Sequence, residues 1–240
     1  MIELYQYRPK FGVPNLSPFC LKLETWLKVS SLDYVVNYLD DPRSAPLGKL
    51  PYIKDGDFQL SDSTCIIEYL SQHYKVDLDS HLSPEQLAIA HSCQVMIEEH
   101  VYWVLVYHRW LGEGWHELKT NVFSSLPPVV RHIVPVLVQR QLKRDLHGQG
   151  IGRHSIEQIN KFAIQDLESL SIILGDKPYL MGDKISSVDA SLYAILCELL
   201  QSTLSTPLQS IAEQYPNLVA YQLRVGCLYF PEYYPVSSGL

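Results

Sequence analysis

The residues with the clearest chemical potential lie where a loop enters a predicted helix. There Ser17 precedes Pro18, and Cys20 lies three positions after Ser17. Free N–H groups and the helix dipole favour negative charge at a helix N-terminus, so a serine hydroxyl there could stabilise a thiolate. The same serine could act only as an N-cap, a common role for serine before proline. Cys20 stands where a C-P-x-C thiol-exchange motif has its second cysteine, which the first turn usually shields, so it is more typical of a packed residue than of a nucleophile.

Two further groups of residues have spacings that suit ligand binding. The run Lys49–Tyr52 (KLPY) carries Pro51 at the entrance to a predicted strand, and Asp62 with Ser63 opens the helix after the next hairpin. A carboxylate and a hydroxyl at such a helix start can bind an ammonium group and a carboxylate, respectively. Asp-Ser also opens many helices only as a cap, and a lone lysine is usually just solvated. The spacing between Pro51 and Asp62 strengthens the binding interpretation.

The elements that must position these residues follow a recognisable order in the N-terminal third. Alternating apolar residues predict strands at Ile2–Tyr7 and Asp33–Leu39, and an apolar stripe predicts the helix that begins after Ser17. Asp55-Gly56 is a hairpin-turn signal, and Ser61 or Asp62 caps the next helix. Strand, helix, strand, hairpin and helix is the order of a thioredoxin-like domain. The two first strands are expected to be parallel, joined by a right-handed crossover.

The rest of the chain is predicted to be helical. Ser83 and Gln86 form a capping box at the start of a long helix that runs to Gly112. A second helix covers 127–144 with a kink or break at Pro135, and two more open at capping boxes, Ser155 with Gln158 and Ser186 with Asp189. We therefore predict a thioredoxin-like domain at 1–77, a linker at 78–83 and an all-helical domain at 84–240.

Composition excludes several classes of function. The 240-residue chain carries a net charge of −7, which argues against a nucleic-acid partner and against an anionic membrane surface as the main partner. The start lacks a signal-peptide profile and the ending EYYPVSSGL is short and polar, so we expect a cytoplasmic protein with no membrane anchor. Five scattered cysteines without C-x-x-C spacing predict reduced thiols, and the histidines show no metal-binding spacing.

These motifs together resemble the glutathione S-transferase superfamily over nearly the whole chain. Within it, three stretches resemble the failed-axon-connections and metaxin-like branch, namely Ser17–Lys28 (SPFCLKLETWLK), Gly148–Ser155 (GQGIGRHS) and Tyr179–Lys184 (YLMGDK). The resemblance implies an α/β plus all-α fold: a thioredoxin-like domain followed by an all-helical domain of the transferase type. It also implies glutathione as co-substrate, no metal cofactor, and it allows a homodimer.

Specific roles follow from the resemblance. The Ser17 hydroxyl would hydrogen-bond the glutathione thiolate, with Tyr7 and Cys20 as reserve candidates. Pro51 would follow a cis peptide bond, and the backbone of Leu50 would pair with the cysteinyl part of glutathione. The remaining contacts would come from Lys49 to the glycyl carboxylate, Asp62 to the ammonium group and Ser63 to the γ-glutamyl carboxylate.

A second pocket for an electrophile is expected on the helix from Pro84 to Gly112. Trp103, Tyr107 and Trp110 share one face of that helix, although an aromatic stripe at this spacing is more often ordinary core. The intact glutathione pattern favours an enzyme that transfers the thiolate of glutathione to a small electrophile. The alternatives are a non-catalytic scaffold of the metaxin-like kind and glutathione-dependent thiol exchange through Cys20.

Overall fold

The computed structural model describes residues 1–124 and 126–234, and it begins with a four-stranded mixed sheet. The strands are β1 (Ile2–Gln6), β2 (Tyr34–Tyr38), β3 (Tyr52–Asp55) and β4 (Phe58–Ser61), in the spatial order β2-β1-β3-β4. β1 pairs with β2 in parallel and with β3 antiparallel, and β3 pairs antiparallel with β4. Helices α1 (Pro18–Val29) and α2 (Ser63–Tyr74) complete this unit. The predicted thioredoxin-like order and the parallel crossover are confirmed.

Local sequence explains where these elements begin and turn. β1 alternates buried and half-buried residues, so one of its faces packs on α1 and α2. Gly56 has φ +61° in the β3–β4 turn, a conformation that glycine adopts without strain. Asp62, rather than Ser61, is the cap of α2, because its carboxylate accepts the N–H groups of Thr64 and Cys65 while Ser61 ends β4.

The following residues are helical, as predicted. The helices are α3 (Pro84–Met96), α4 (Tyr102–Trp110), α5 (Trp115–Val122), α6 (Val130–Gln149), α7 (Ile156–Leu174), α8 (Ser187–Leu200), α9 (Pro207–Ala212) and α10 (Pro216–Tyr229). Ser83 with Gln86, Ser155 with Gln158 and Ser186 with Asp189 each form the predicted capping box. None of the helices in the described ranges is long and apolar enough to cross a bilayer. Most of the polar ending singled out above, residues 235–240, lies outside those ranges.

Two details of the predicted helices differ from the structure. A π-helical segment at Ile97–Val101 separates α3 from α4, where the sequence predicted one regular helix to Gly112. α6 runs from Val130 to Gln149 without a break at Pro135, where the sequence predicted 127–144 with a kink or break; the kink stays a prediction.

Two hydrophobic cores meet along α8. The core of the sheet unit includes Leu4, Trp26 and Ile53, and the larger helical core surrounds α8, whose residues Val188–Leu199 are all buried. Ala190 on α8 belongs to the sheet core, and the Trp26 indole donates to the Ser187 hydroxyl at 3.2 Å. The two units therefore share a packed interface. The boundary at 78–83 stays a prediction, with α2 ending at Tyr74 and α3 beginning at Pro84.

Candidate functional site

The N-terminus of α1 presents Ser17 in the geometry of an N-cap. Ser17 is half-buried in extended backbone, and its hydroxyl oxygen accepts the N–H of Cys20 at 3.4 Å. A hydroxyl has two acceptor sites and one donor proton, so this cap occupies only an acceptor site. The hydroxyl can donate its proton to a negative sulfur, as its lowering effect on the pKa of the Cys20 thiol shows. Capping and thiolate stabilisation are therefore compatible roles of one hydroxyl.

The loop before Ser17 is held by a buried asparagine. The Asn15 side-chain oxygen accepts the Ser17 N–H at 3.0 Å, and its amide donates to the Tyr7 carbonyl at 2.7 Å. Asn15 is 0% exposed. It thus ties the end of β1 to the start of α1 and fixes where the Ser17 hydroxyl stands.

An ion pair from the helical part of the chain supports the same loop from behind. Arg109 on α4 donates to the Leu16 carbonyl at 2.9 Å and pairs with the Glu198 carboxylate on α8. Both side chains are buried. Burial raises the pKa of the Glu198 carboxyl, and the Arg109 guanidinium opposes that rise. Arg109 therefore holds the backbone carbonyl that directly precedes Ser17.

Of the two reserve candidates, Cys20 is buried and Tyr7 is half-buried. Burial raises the pKa of the Cys20 thiol to about 12, and the Ser17 hydroxyl and Tyr7 backbone only partly offset it. Cys20 is 0% exposed. Burial also raises the pKa of the Tyr7 hydroxyl above its ordinary value, with further contributions from Cys20 and Tyr102. Both groups are neutral at neutral pH, and neither is an activated nucleophile.

The backbone of Leu50 lies just before β3 and outside the sheet ladder. The Leu50–Pro51 peptide bond is cis, as the resemblance predicts. The ladder between β1 and β3 ends at the Tyr5–Tyr52 pair. Within residues 1–124 and 126–234, no backbone–backbone hydrogen bond uses the N–H or C=O of Leu50. An unpaired N–H and C=O are the groups with which an added strand would pair; Leu50 itself is 6% exposed, and Lys49 before it is exposed.

At the start of α2, Asp62 is engaged and Ser63 is buried. One Asp62 carboxylate oxygen accepts the Thr64 and Cys65 N–H groups at 2.9 and 3.1 Å. Asp62 is exposed and has φ +77°, an unusual conformation outside glycine. The Cys65 thiol also lies within reach of this carboxylate, and both backbone hydrogen bonds use the same oxygen. The carboxylate can thus cap α2 and still meet an ammonium group.

The three aromatic residues predicted for a second pocket pack on the helical core. Trp103, Tyr107 and Trp110 are half-buried there, and Trp110 lies 5.9 Å from the Trp115 ring. The aromatic residue of this region that contacts α1 is Tyr102, whose ring meets the Phe19 ring edge-on at 4.8 Å. The role of Trp103, Tyr107 and Trp110 in an electrophile pocket stays a prediction.

Sequence reasoning missed Asn15, Arg109 and Glu198 as parts of this site. Asn15 had a local signal, since asparagine in a loop before a helix commonly bonds the backbone two residues on. Arg109 and Glu198 are 93 and 182 positions beyond Leu16 and had no such signal: their contact with that loop depends on how α4 and α8 cross.

The chain matches two family models that lie on either side of a central segment. The glutathione S-transferase N-terminal domain matches residues 18–115, and the glutathione S-transferase C-terminal domain matches residues 163–225. The isoprene-epoxide–glutathione S-transferase of Rhodococcus sp. (strain AD45) is 35% identical over 94% of this chain and 98% of that protein.

Other relatives have names of a different kind. Failed axon connections of Drosophila melanogaster is 30% identical over 100% of this chain, which spans only 60% of that protein. The mitochondrial outer membrane import complex protein metaxin of Arabidopsis thaliana is 27% identical over 89% of this chain and 68% of that protein.

Solved structures share the fold. Human glutathione transferase theta-2, in complex with glutathione and an unknown ligand, aligns with 97% of this chain and 84% of its own length, with a TM-score of 0.63 and 20% identity. The matches to both domain families and the 35% identity over nearly full length lead to one conclusion. The chain belongs to the glutathione S-transferase family.

Proposed function

We propose that the chain binds glutathione and transfers its thiolate to a small electrophile, with the Ser17 hydroxyl as the stabilising donor. The observation that carries the proposal is the Ser17 cap, in which the hydroxyl accepts the Cys20 N–H through an oxygen lone pair, so that its proton is not used by the cap. That proton and the positive end of α1 both favour a negative sulfur. Lowering a thiol pKa by about two units requires roughly 2.7 kcal/mol, which one such donor can supply.

The other glutathione contacts come from the two segments beside Ser17. The unpaired backbone of Leu50 suits the cysteinyl part of the tripeptide, bound as an added strand. Ser63 at the positive end of α2 suits the γ-glutamyl carboxylate, the exposed carboxylate of Asp62 suits the ammonium group, and the exposed Lys49 suits the glycyl carboxylate. No metal takes part in this scheme.

The Rhodococcus relative supports an epoxide as the electrophile to test first. Its name joins an isoprene epoxide to glutathione, and this chain spans 98% of it. Opening a small epoxide needs a thiolate and a proton donor for the new alkoxide, which water can provide. We place this activity in the cytosol, a reducing compartment that fits the five free cysteines.

Titration with glutathione by calorimetry, beside a turnover assay with a small epoxide, tests the proposal. Glutathione should bind, and the Ser17→Ala variant should lose on the order of 100-fold in kcat while binding glutathione nearly as well. Ser17→Thr is the matched control, because it keeps a hydroxyl and a capping oxygen. Absence of glutathione binding at millimolar concentration would refute the proposal.

The second candidate is a non-catalytic scaffold, favoured by the relatives named Failed axon connections and metaxin. Glutathione binding without turnover of any epoxide or aromatic electrophile would support it. Thiol exchange through Cys20 is the least favoured candidate, since that thiol is buried and its pKa lies at about 12.

A further inference from the structure

The outward side of α6 is apolar in its first half. Val129, Ile133 and Leu137 are 71%, 52% and 55% exposed, and Val130 and Val136 are exposed beside them. The spacing of four and seven residues puts all five on less than half of the helix circumference. Contiguous apolar side chains on a surface mark an interaction site, whereas scattered ones do not.

This apolar side does not serve the fold's own core. In α6 only Pro135 and Leu146 are buried, although the helix has 20 residues. The Gln139 amide donates to the Trp110 carbonyl at 2.9 Å, which fastens the helix to α4 by its inner side. The first family match ends at residue 115 and the second begins at 163, so α6 lies outside both matched ranges.

The second half of the same side is basic. Arg140, Lys143 and Arg144 are exposed and fall on the arc that carries Ile133 and Leu137. Four basic residues and one acidic residue give α6 a formal charge of +3 in a chain of −7, so the rest of the chain carries −10. The helix therefore forms a basic patch on an acidic protein.

We propose that α6 docks this protein on an anionic lipid surface. The apolar half enters the interface, and Arg140, Lys143 and Arg144 meet the headgroups, as in amphipathic helices that lie on membranes. A second copy of the chain fits less well, because antiparallel pairing of two α6 helices would set the basic half of each against the apolar half of the other. From the net charge of −7 we expected no binding to an anionic membrane surface. The charge is unevenly distributed, however, and the basic residues of α6 are the basis of the present proposal. This proposal does not depend on the proposed transfer activity.

Sedimentation of the full chain with lipid vesicles tests it. We expect binding to vesicles of phosphatidylcholine with phosphatidylserine, little binding to phosphatidylcholine alone, and weakening as salt rises. Each basic residue at an anionic surface strengthens binding about fivefold, so Arg140→Gln with Lys143→Gln and Arg144→Gln should weaken it about 100-fold. Ile133→Ser with Leu137→Ser should weaken it about tenfold or more.

Matched controls change the same residue types on other helices and loops. Ile164→Ser with Ile172→Ser removes exposed apolar side chains from α7, and Lys161→Gln with Lys177→Gln and Lys184→Gln removes three exposed charges elsewhere. Both controls should bind vesicles like the wild type, and thermal melts should show that all variants fold. No binding to anionic vesicles at low salt, or equal loss in the controls, overturns the proposal. So does light scattering that shows a dimer dissociated by the α6 substitutions without any vesicle binding.

Discussion

The N-termini of α1 and α2 are both capped by a side chain, but the capping groups and their supports differ. At α1 the cap is a hydroxyl that accepts one N–H at 3.4 Å, and the loop before it is held by Asn15 and by Arg109 from the helical part of the chain. At α2 the cap is a carboxylate that accepts two N–H groups at 2.9 and 3.1 Å, all within four residues.

This difference in support matches the different roles proposed for the two helix starts. The α1 start carries the residue proposed for chemistry, and distant buried groups fix its place. The α2 start carries the residues proposed to bind one end of glutathione, and it holds itself in place locally. Substitutions that disturb the start of α1 should therefore lower stability and turnover, whereas substitutions at the start of α2 should lower the affinity for glutathione.

The largest effect is expected from breaking the buried ion pair behind α1. Arg109→Met leaves the Glu198 carboxylate buried without its partner, which should lower the free energy of unfolding by about 3–5 kcal/mol. Denaturant unfolding measures this. The double variant Arg109→Met with Glu198→Leu should recover most of the stability but not the turnover, because the Leu16 carbonyl still lacks its donor. Wild-type stability in Arg109→Met would contradict the positioning role.

A smaller effect is expected from the α2 cap. Asp62→Asn keeps the oxygen that caps α2 but removes the charge offered to the ammonium group, so the KM for glutathione should rise about tenfold with kcat unchanged. Asp62→Ala should also lose about 1 kcal/mol of stability, because the cap is gone. Steady-state kinetics beside denaturant unfolding separates the two. An equal fall of kcat in both variants would place Asp62 in the chemistry instead.

The smallest effect is expected at Cys20. Cys20→Ala should keep turnover within about twofold and cost about 1 kcal/mol of stability, since it removes one buried sulfur atom. Cys65→Ala, which changes an exposed thiol, is the matched control for loss of a cysteine. Loss of glutathione-dependent thiol exchange in Cys20→Ala alone would favour the thiol-exchange alternative.

The two helix starts also show which parts of the site can be predicted from the sequence. Ser17, Asp62 and the capping boxes are recognisable because an N-cap involves residues at most four positions apart. The support of Ser17 by Arg109 and Glu198 depends on helix crossing over more than ninety positions, which no local pattern encodes. The π-helical segment at Ile97–Val101 was not predicted either, because a single π turn inside an α-helix has no sequence pattern that we recognised.

The most direct test of the central claim is the pKa of the glutathione thiol in its complex with the protein, followed by the ultraviolet absorbance of the thiolate. With the wild type and with Ser17→Thr it should fall about two pH units below the ordinary value of about 8.5. With Ser17→Ala it should return close to that value while glutathione stays bound. The same lowered pKa in Ser17→Ala would show that another group stabilises the thiolate and would contradict the role assigned to Ser17.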